Sequence, residues 1–355
     1  MTERTIVDLT TRLLSPAMPR PWVPADPRMH VIVVTVTDSD GGVGTGFSWT
    51  PTIGRSAIQA MLEEDIRSFV VGQAADPLVL WDATWEHLHE AGGGGVTTIA
   101  LAGLDLALWD LEGHRTGRSV SELVGRRHDS LPAYGSGVNF DYSIDELADQ
   151  AQRWVDAGFS AVKIKVGKPD LREDVDRVRA VREIIGPDRR LMVDANQRWD
   201  LDTALKAIAA LTPLGLDWVE EPLRSEDGLG YRTLAGRIDV PIAMGENVHT
   251  IHRFRELAEW GAAKILQPNV IRVGGITPFA SIAQLAQEYD VVVMPHVLAD
   301  ISGQLAAAIK PEVLVECVED ADFESLGILA SPSPVQIRDG LAHVGTAAGL
   351  GLDFA

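Results

Sequence analysis

Between residues 190 and 247 three short apolar runs each end in a carboxylate: RLMVDAN (190–196) with Asp194, DWVEEP (217–222) with Glu220, and PIAMGEN (241–247) with Glu246. The acids recur at a constant interval, Asp194 to Glu220 being as far in the chain as Glu220 to Glu246. One strand, one returning helix and two turns take about that length of chain, so each acid falls at the C-terminal end of a strand in successive βα units. Barrel enzymes keep their chemistry at that end. Three hard oxygen ligands on one rim, with no histidine or cysteine among them, suit a Mg²⁺ ion that keeps positions open for substrate oxygens.

The beat continues on both sides. AYGSGVN (133–139) and AVKIKVG (161–167) precede these runs, and KILQPN (264–269), VVVMPH (291–296) and VLVECVE (313–319) follow them, each separated by a helical stretch. Ser143 with Glu146 forms a capping-box signature opening a helix that runs to about Ala157. Eight such units predict an α/β fold, a (β/α) barrel of the modified TIM type, over 131–330. An open doubly wound sheet is the alternative, and its Gly-rich dinucleotide turn is missing; AGGGG (91–95) lacks the helix-opening phosphate signature and reads as a loop.

The chain before Leu131 has a different character. VIVVTVTD (31–38), the turn DSDGG and VGTGFSW (43–49) read as a hairpin. Leu101, Leu104, Leu106, Ala107, Leu108 and Leu111 give an apolar stripe of helical spacing between Thr98 and Gly125. The expectation is an α+β capping domain over 1–130, completed by a Pro- and Gly-punctuated segment, 331–355, that returns to it.

Composition narrows the partners. A net charge of −20 over 355 residues argues against nucleic acid and anionic membrane surfaces, though a bound cation and local lysines can reverse the field inside a site. Cys317 is the only cysteine, which rules out an intramolecular disulfide. The N-terminus has charges and no apolar core of a leader, and no run approaches membrane-span length, so a cytoplasmic location is expected.

Lys163 and Lys165 are two apart on one strand and therefore face the same side, where each is expected to depress the other's pKa. His296 ends the seventh strand, and Glu316 lies on the eighth. Asn196, two beyond Asp194, shares its face and can steer a substrate oxygen. Glu221, Glu319 and Asp320 have weaker claims, since such neighbouring positions point away from the interior and are expected to be solvated or salt-bridged.

Together KIK (163–165), DAN (194–196), EEP (220–222), GEN (245–247), QPN and RVGG (267–275), PH (295–296) and VE (315–316) resemble the mandelate racemase and muconate lactonising enzyme family of the enolase superfamily. The helix LAGLDLALWDLEGHRTGRSVSELVG (101–125) is similar to that family's cap segment, and the resemblance is nearest to the mandelate racemase subgroup. It implies that Asp194, Glu220 and Glu246 ligate Mg²⁺ and that Lys165 and His296 are acid/base groups on opposite faces. Lys163 would adjust Lys165 and touch the substrate carboxylate, and Glu316 would hydrogen-bond that carboxylate as it becomes an enediolate. The family also implies a small-molecule carboxylate substrate and a homo-oligomer, dimer or octamer.

One position departs from the subgroup. Asn269 stands where an aspartate would pair with the histidine, and an amide can orient an imidazole but carries no charge to stabilise the imidazolium. In serine proteases the same Asp to Asn exchange beside histidine costs about 10⁴ in rate. The expectation is therefore one-base chemistry. Lys165 abstracts the α-proton of an aldonic or aldaric acid, His296 assists loss of a β-oxygen, and a 2-keto-3-deoxy acid forms. Racemisation of a 2-hydroxy acid and cycloisomerisation of a sugar-acid lactone are the alternative reactions. A noncatalytic acid-sugar binder is the alternative class; it would be marked by loss of Lys165 or a ligand, and none is lost. Substrate choice is expected in the segments LSPAMPRPWVP (14–24), with Arg20 and Trp22, and SWTPT (48–52), with Trp49.

Overall fold

A computed structural model describes residues 4–22, 26–310 and 313–355, so Val23 and Pro24, the end of the 14–24 segment, lie outside the described residues. The chain opens with an antiparallel sheet of β1 (Ile6–Leu14), β2 (His30–Asp38) and β3 (Val43–Thr50), containing the hairpin expected over 31–49. Gly44 and Gly46 make β3 thin enough for the helix Val96–Thr116 to lie directly on it. A Cβ on Gly46 would meet the Ala107 nitrogen at 2.3 Å and the Gly103 oxygen at 2.5 Å. This helix is buried around most of its girth, more than a single stripe, because the barrel covers its other side. There Asp105 accepts from the Thr277 N–H and hydroxyl, capping the barrel helix Ile276–Glu288. The helical run expected to reach Gly125 is broken by Gly117, at φ 65°, and restarts as Val120–Leu123 behind a Ser119/Glu122 capping box.

Eight parallel strands follow: β4 (Ser130–Ser136), β5 (Ala161–Lys165), β6 (Arg190–Asp194), β7 (Leu216–Glu220), β8 (Ile242–Met244), β9 (Ile265–Leu266), β10 (Val292–Val293) and β11 (Val315–Val318). Ladders join β11 to β4 and then each strand to the next as far as β10. At the last seam the Val297 N–H, just past β10, donates to the Glu316 carboxylate on β11. This is the (β/α) barrel under an α+β cap that the spacing predicts. The helix Ile144–Asp156 carries the expected Ser143/Glu146 capping box.

One buried side chain at or beside each strand fills the base of the barrel: Tyr134, Ala161, Met192, Trp218, Ala243, Ile265, Met294 and Leu314. The Tyr134 and Trp218 rings meet edge to face, 5.8 Å apart. They form a cluster separate from the core between strands and helices. The last segment divides in two. β12 (Val335–Arg338) and β13 (Leu341–Val344) form a hairpin that pairs antiparallel with the start of β4. The chain then runs to the cap, where Phe354 packs on Phe47 and Phe323. No helix among the described residues is long and apolar enough to cross a membrane.

Candidate active site

Strand pleating places the residue two beyond each base residue on the same side, one layer nearer the cap. That next layer reads Ser136, Lys163, Asp194, Glu220, Gln267, His296 and Glu316, nearly all of it polar or charged. Glu246 breaks the parity: Ala243 belongs to the base, so Gly245 takes the next inward place. Gly245 sits at φ 140°, and a Cβ there would meet the Gln267 nitrogen at 2.8 Å. This turn brings Glu246 to the other two acids, and one carboxylate oxygen from each of Asp194, Glu220 and Glu246 lies within 4.8 Å of the others.

All three acids are buried, and their outer lone pairs are already engaged. The Asn196 backbone N–H donates to Asp194 Oδ1 at 2.7 Å, with Asn196 itself curled back at φ 42°. Glu220 Oε2 accepts from Trp218 Nε1 at 3.2 Å and from Gln267 Nε2 at 2.7 Å. Asn247 Nδ2 donates to Glu246 Oε1 at 3.1 Å. Glu246 Oε2 is buried with no aligned hydrogen bond, although His296 Nε2 lies 2.9 Å away in ion-pair range. Burial and the neighbouring acids push Glu220 up to about 8, against the pull of Lys163. Three crowded carboxylates, one with a buried oxygen that has no aligned hydrogen bond, fit a divalent cation with hard-oxygen preference such as Mg²⁺.

The lysines differ from the expectation of mutual depression. Lys163 bridges Glu220 Oε1 at 2.6 Å and Glu316 Oε1 at 2.8 Å. Burial opposes its charge, but the two carboxylates hold its pKa well above the ordinary lysine value. Lys165 hydrogen-bonds Asp194, and against burial and the repulsion from Lys163 the charges of Asp194, Glu246 and Glu220 together raise its pKa. Glu316 is held down to about 2, against burial, by Lys163 and His296. It also accepts from the Ser136 hydroxyl at 2.8 Å.

His296 stands on the opposite side of the acids, on Glu246. Asn269 Oδ1 accepts from the Ile271 and Arg272 N–H groups at 3.0 and 3.1 Å, so its amide orientation is fixed and Nδ2 faces His296 Nδ1 at 3.0 Å. An NH₂ group there makes Nδ1 an acceptor and places the proton of the neutral ring on Nε2, toward the acids. Glu246 works the other way and raises the imidazole pKa in spite of burial. Val297 and Leu298 follow at φ 45° and 54°, an uncommon conformation for such residues that the Val297 bond to Glu316 helps to hold.

Glu221 requires correction. It is fully buried rather than solvated, at φ 37°, and accepts from Gln197 Nε2 and Asn247 Nδ2. The turned backbone sends it inward, where burial raises its pKa well above the ordinary range. Glu319 and Asp320 are salt-bridged as expected, and their partner is Arg20, at 3.2 and 2.8 Å. Trp49 is buried and packs edge to face with Trp22, 5.9 Å between centroids. Gln267 was not singled out from the sequence, although its place two residues after Ile265 is the signal that would have found it. A cavity of about 600 Å³ is lined by Trp154, Cys317 and Val335 and reaches Glu316 and Val297 at the edge of the site, but none of the three acids lines it.

Known proteins share this fold. Residues 9–125 match the family described as mandelate racemase / muconate lactonizing enzyme, N-terminal domain, and 146–355 match the enolase C-terminal domain-like family. A 3,6-anhydro-alpha-L-galactonate cycloisomerase of Streptomyces coelicolor is 35% identical over 92% of this chain and 90% of its own. A magnesium-bound racemase from the same organism superposes with TM-score 0.92 at 33% identity, over 98% of this chain and 97% of that one. An L-talarate dehydratase from Polaromonas complexed with Mg and L-glucarate superposes with TM-score 0.88 at 35% identity, over 99% and 95%. The chain belongs to the mandelate racemase/muconate lactonizing enzyme family of the enolase superfamily.

Proposed function

We propose, from that membership, that this chain is a Mg²⁺-dependent enzyme that removes the proton α to the carboxylate of a sugar acid and expels the β-oxygen, giving a 2-keto-3-deoxy acid. The observation that carries the elimination reading is the Asn269 amide on His296 Nδ1, which presents an Nε2–H donor where a second base would need a free nitrogen. Asp194, Glu220 and Glu246 are assigned as metal ligands. A divalent ion held by these three acids would supply the positive charge that makes an enediolate accessible.

Lys165, as the base, takes the proton from Cα. Lys163, held cationic between Glu220 and Glu316, holds the substrate carboxylate end as charge builds on it, and Glu316 is assigned to the same end, where it keeps Lys163 charged and in place. His296 hydrogen-bonds the departing β-oxygen through Nε2–H. The Cα–H and Cβ–O bonds break, the enol double bond forms, and the proton taken by Lys165 leaves with the oxygen as water before the enol tautomerises. Asn196 is assigned to a substrate oxygen and Asn269 to orienting the donor; Arg20, Trp22 and Trp49 are assigned to the substrate-facing side of the cap. The relatives named as cycloisomerases support a second reading, in which the departing oxygen belongs to a ring and stays attached to the product.

The same reading divides the chain into a cap, 1–130, completed by the end of the 331–355 segment, and a barrel, 131–330, with the β12–β13 hairpin of that segment paired to β4. It makes the protein a cytoplasmic homo-oligomer, dimer or octamer, supported by the family resemblance and checked by light scattering. The reaction is tested by screening aldonic, aldaric and lactone acids with Mg²⁺, with semicarbazide detection of keto acids and proton NMR in D₂O. A keto product is the expected result. Deuterium at Cα without keto product would replace elimination with racemisation.

A further inference from the structure

Lys165 is the last residue of β5, and its backbone N–H does not end on a neighbouring strand. It donates to the side chain of Asn139, at 2.9 Å to Oδ1. Asn139 Nδ2 donates in turn to Gln150 Oε1 at 2.8 Å, and Gln150 Nε2 donates to Glu319 Oε2 at 2.7 Å. Asn139 and Gln150 are almost completely buried. Each uses its oxygen toward Lys165 and its nitrogen toward Glu319, so turning either amide would set donor against donor and break two links. The series can end only on an acceptor, and a carboxylate ends it.

Two further features hold this series in place. Gly137 leaves the space Gln150 needs, since a Cβ there would meet Gln150 Nε2 at 2.6 Å. Arg177, itself buried, donates from Nη2 to the Asn139 carbonyl at 2.7 Å. The far end faces the cap: Glu319 Oε2, the oxygen that receives Gln150, lies 3.2 Å from Arg20 Nε, and Arg153 Nε donates to Oε1 at 2.7 Å. Arg20 also holds Asp320 at 2.8 Å, where the backbone sits at φ 57°. Five parts of the chain thus meet in one line: the segment before β2, the turn after β11, the helix Ile144–Asp156, the loop after β4 and the end of β5.

We propose that the docking of Arg20 on Glu319 and Asp320 is transmitted through Gln150 and Asn139 to the backbone of Lys165, which makes Glu319, Gln150 and Asn139 positioning residues for that lysine. The proposal rests on the reading of Lys165 as the base for its functional meaning. When the cap segment is docked, Lys165 is held in place; when Arg20 releases, the support at the end of β5 loosens. Displacements of about 1 Å at a reacting group cost on the order of 10²-fold in rate, so a modest loosening is enough to tie turnover to cap docking.

The test reads the Lys165 amide directly, by hydrogen exchange with fragmentation to single-amide resolution on the full chain, without substrate. Gln150→Leu is expected to speed exchange at Lys165 by about tenfold, and Arg20→Gln by a smaller factor in the same direction. In Arg20→Gln/Gln150→Leu the rate should match Gln150→Leu alone, because the route is already cut. Arg20→Lys, which keeps the charge, should restore most of the protection. The β2 amides, His30–Asp38, serve as the control and should not change. If Gln150→Leu fails to fold, the isosteric Glu319→Gln takes its place with the same expectation for Arg20. Wild-type exchange at Lys165 in Arg20→Gln, or additive effects in the double variant, overturns the proposal. No turnover enters this measurement, so a wrong reaction leaves it intact, while a Lys165→Ala variant that still turns over would sink the base assignment alone.

Discussion

The two layers inside the barrel are two residues apart on the same strands and could hardly differ more. The base, with Met192, Trp218 and Ile265, is apolar and closed, the condition of a packed core. The layer above it carries Lys163, Asp194, Glu220, Gln267 and Glu316 in positions just as buried, with Lys165, Glu246 and the partly exposed His296 beside them. Burying ions costs several kcal/mol each unless they are paired and hydrogen-bonded, and here the pairing is uneven: Glu220 is pushed up while Glu316 is held down. The base holds the fold together. The layer above holds charge that folding alone does not require, which is the mark of a site.

The sharpest way to break this contrast is Lys165→Ala. Removing the proposed base should cut turnover by on the order of 10³-fold or more, and without metal it should also lower stability, because Asp194 is left a buried carboxylate with only the Asn196 donors. Retained keto-acid formation in the NMR assay would detach the upper layer from the chemistry. Next in size is a buried acid outside both layers. Asp105, in the cap helix, has hydroxyl and backbone donors but no cation, and burial raises it to about 7 from 3.8. A folded-state pKa above the unfolded one gives stability that is full below about pH 4 and falls as pH rises to about 7, by roughly 4 kcal/mol at most. Denaturant melts of Asp105→Asn should lack that slope. An unchanged slope would place the pH dependence elsewhere, in the acids of the site.

Somewhat smaller is the effect of opening the base. Met192→Ala should cost about 2–5 kcal/mol in denaturant unfolding, by lost burial and the cavity left behind. Its effect on metal affinity, read by titration calorimetry, should be slight. A variant that kept its stability and lost the metal would mean that the base is shaped for the site rather than for the fold.

Much of this was legible in the chain because strand parity and the βα period are rigid rules. The equal spacing of Asp194, Glu220 and Glu246 located the acids, and Lys163 with Lys165 followed from pleating. What escaped did so where the backbone leaves the rule. Glu221, expected to point away, turns inward at positive φ, which no periodicity encodes; Glu246, which its spacing did locate, comes in by a departure of the same kind, the turn at Gly245. Asn139 and Gln150 meet Lys165 only through three-dimensional contact, so nothing in their spacing marked them. Arg20 could be noted as a charged residue in a Pro-rich segment, but its partners, Glu319 and Asp320, lie near the opposite end of the chain.

Gln267 gives the finest test of the two layers, because its two ends pull in opposite directions. Nε2 donates to Glu220 Oε2 at 2.7 Å, while Oε1 is buried with no partner. Gln267→Leu therefore removes an orphaned acceptor, whose burial costs about 1–3 kcal/mol, together with a donor to a carboxylate proposed to hold the metal. Stability without metal should hold or rise. Affinity for Mg²⁺ or Mn²⁺ should fall about 10–100-fold, the usual consequence of losing an outer partner of a ligating carboxylate. That is the reverse of Met192→Ala, one strand-pleat lower and on a different strand. Calorimetric titration beside denaturant melts reads both quantities on the same variant. If Gln267→Leu loses stability and keeps the metal, the upper layer is ordinary core and the division between the layers fails at its weakest polar member.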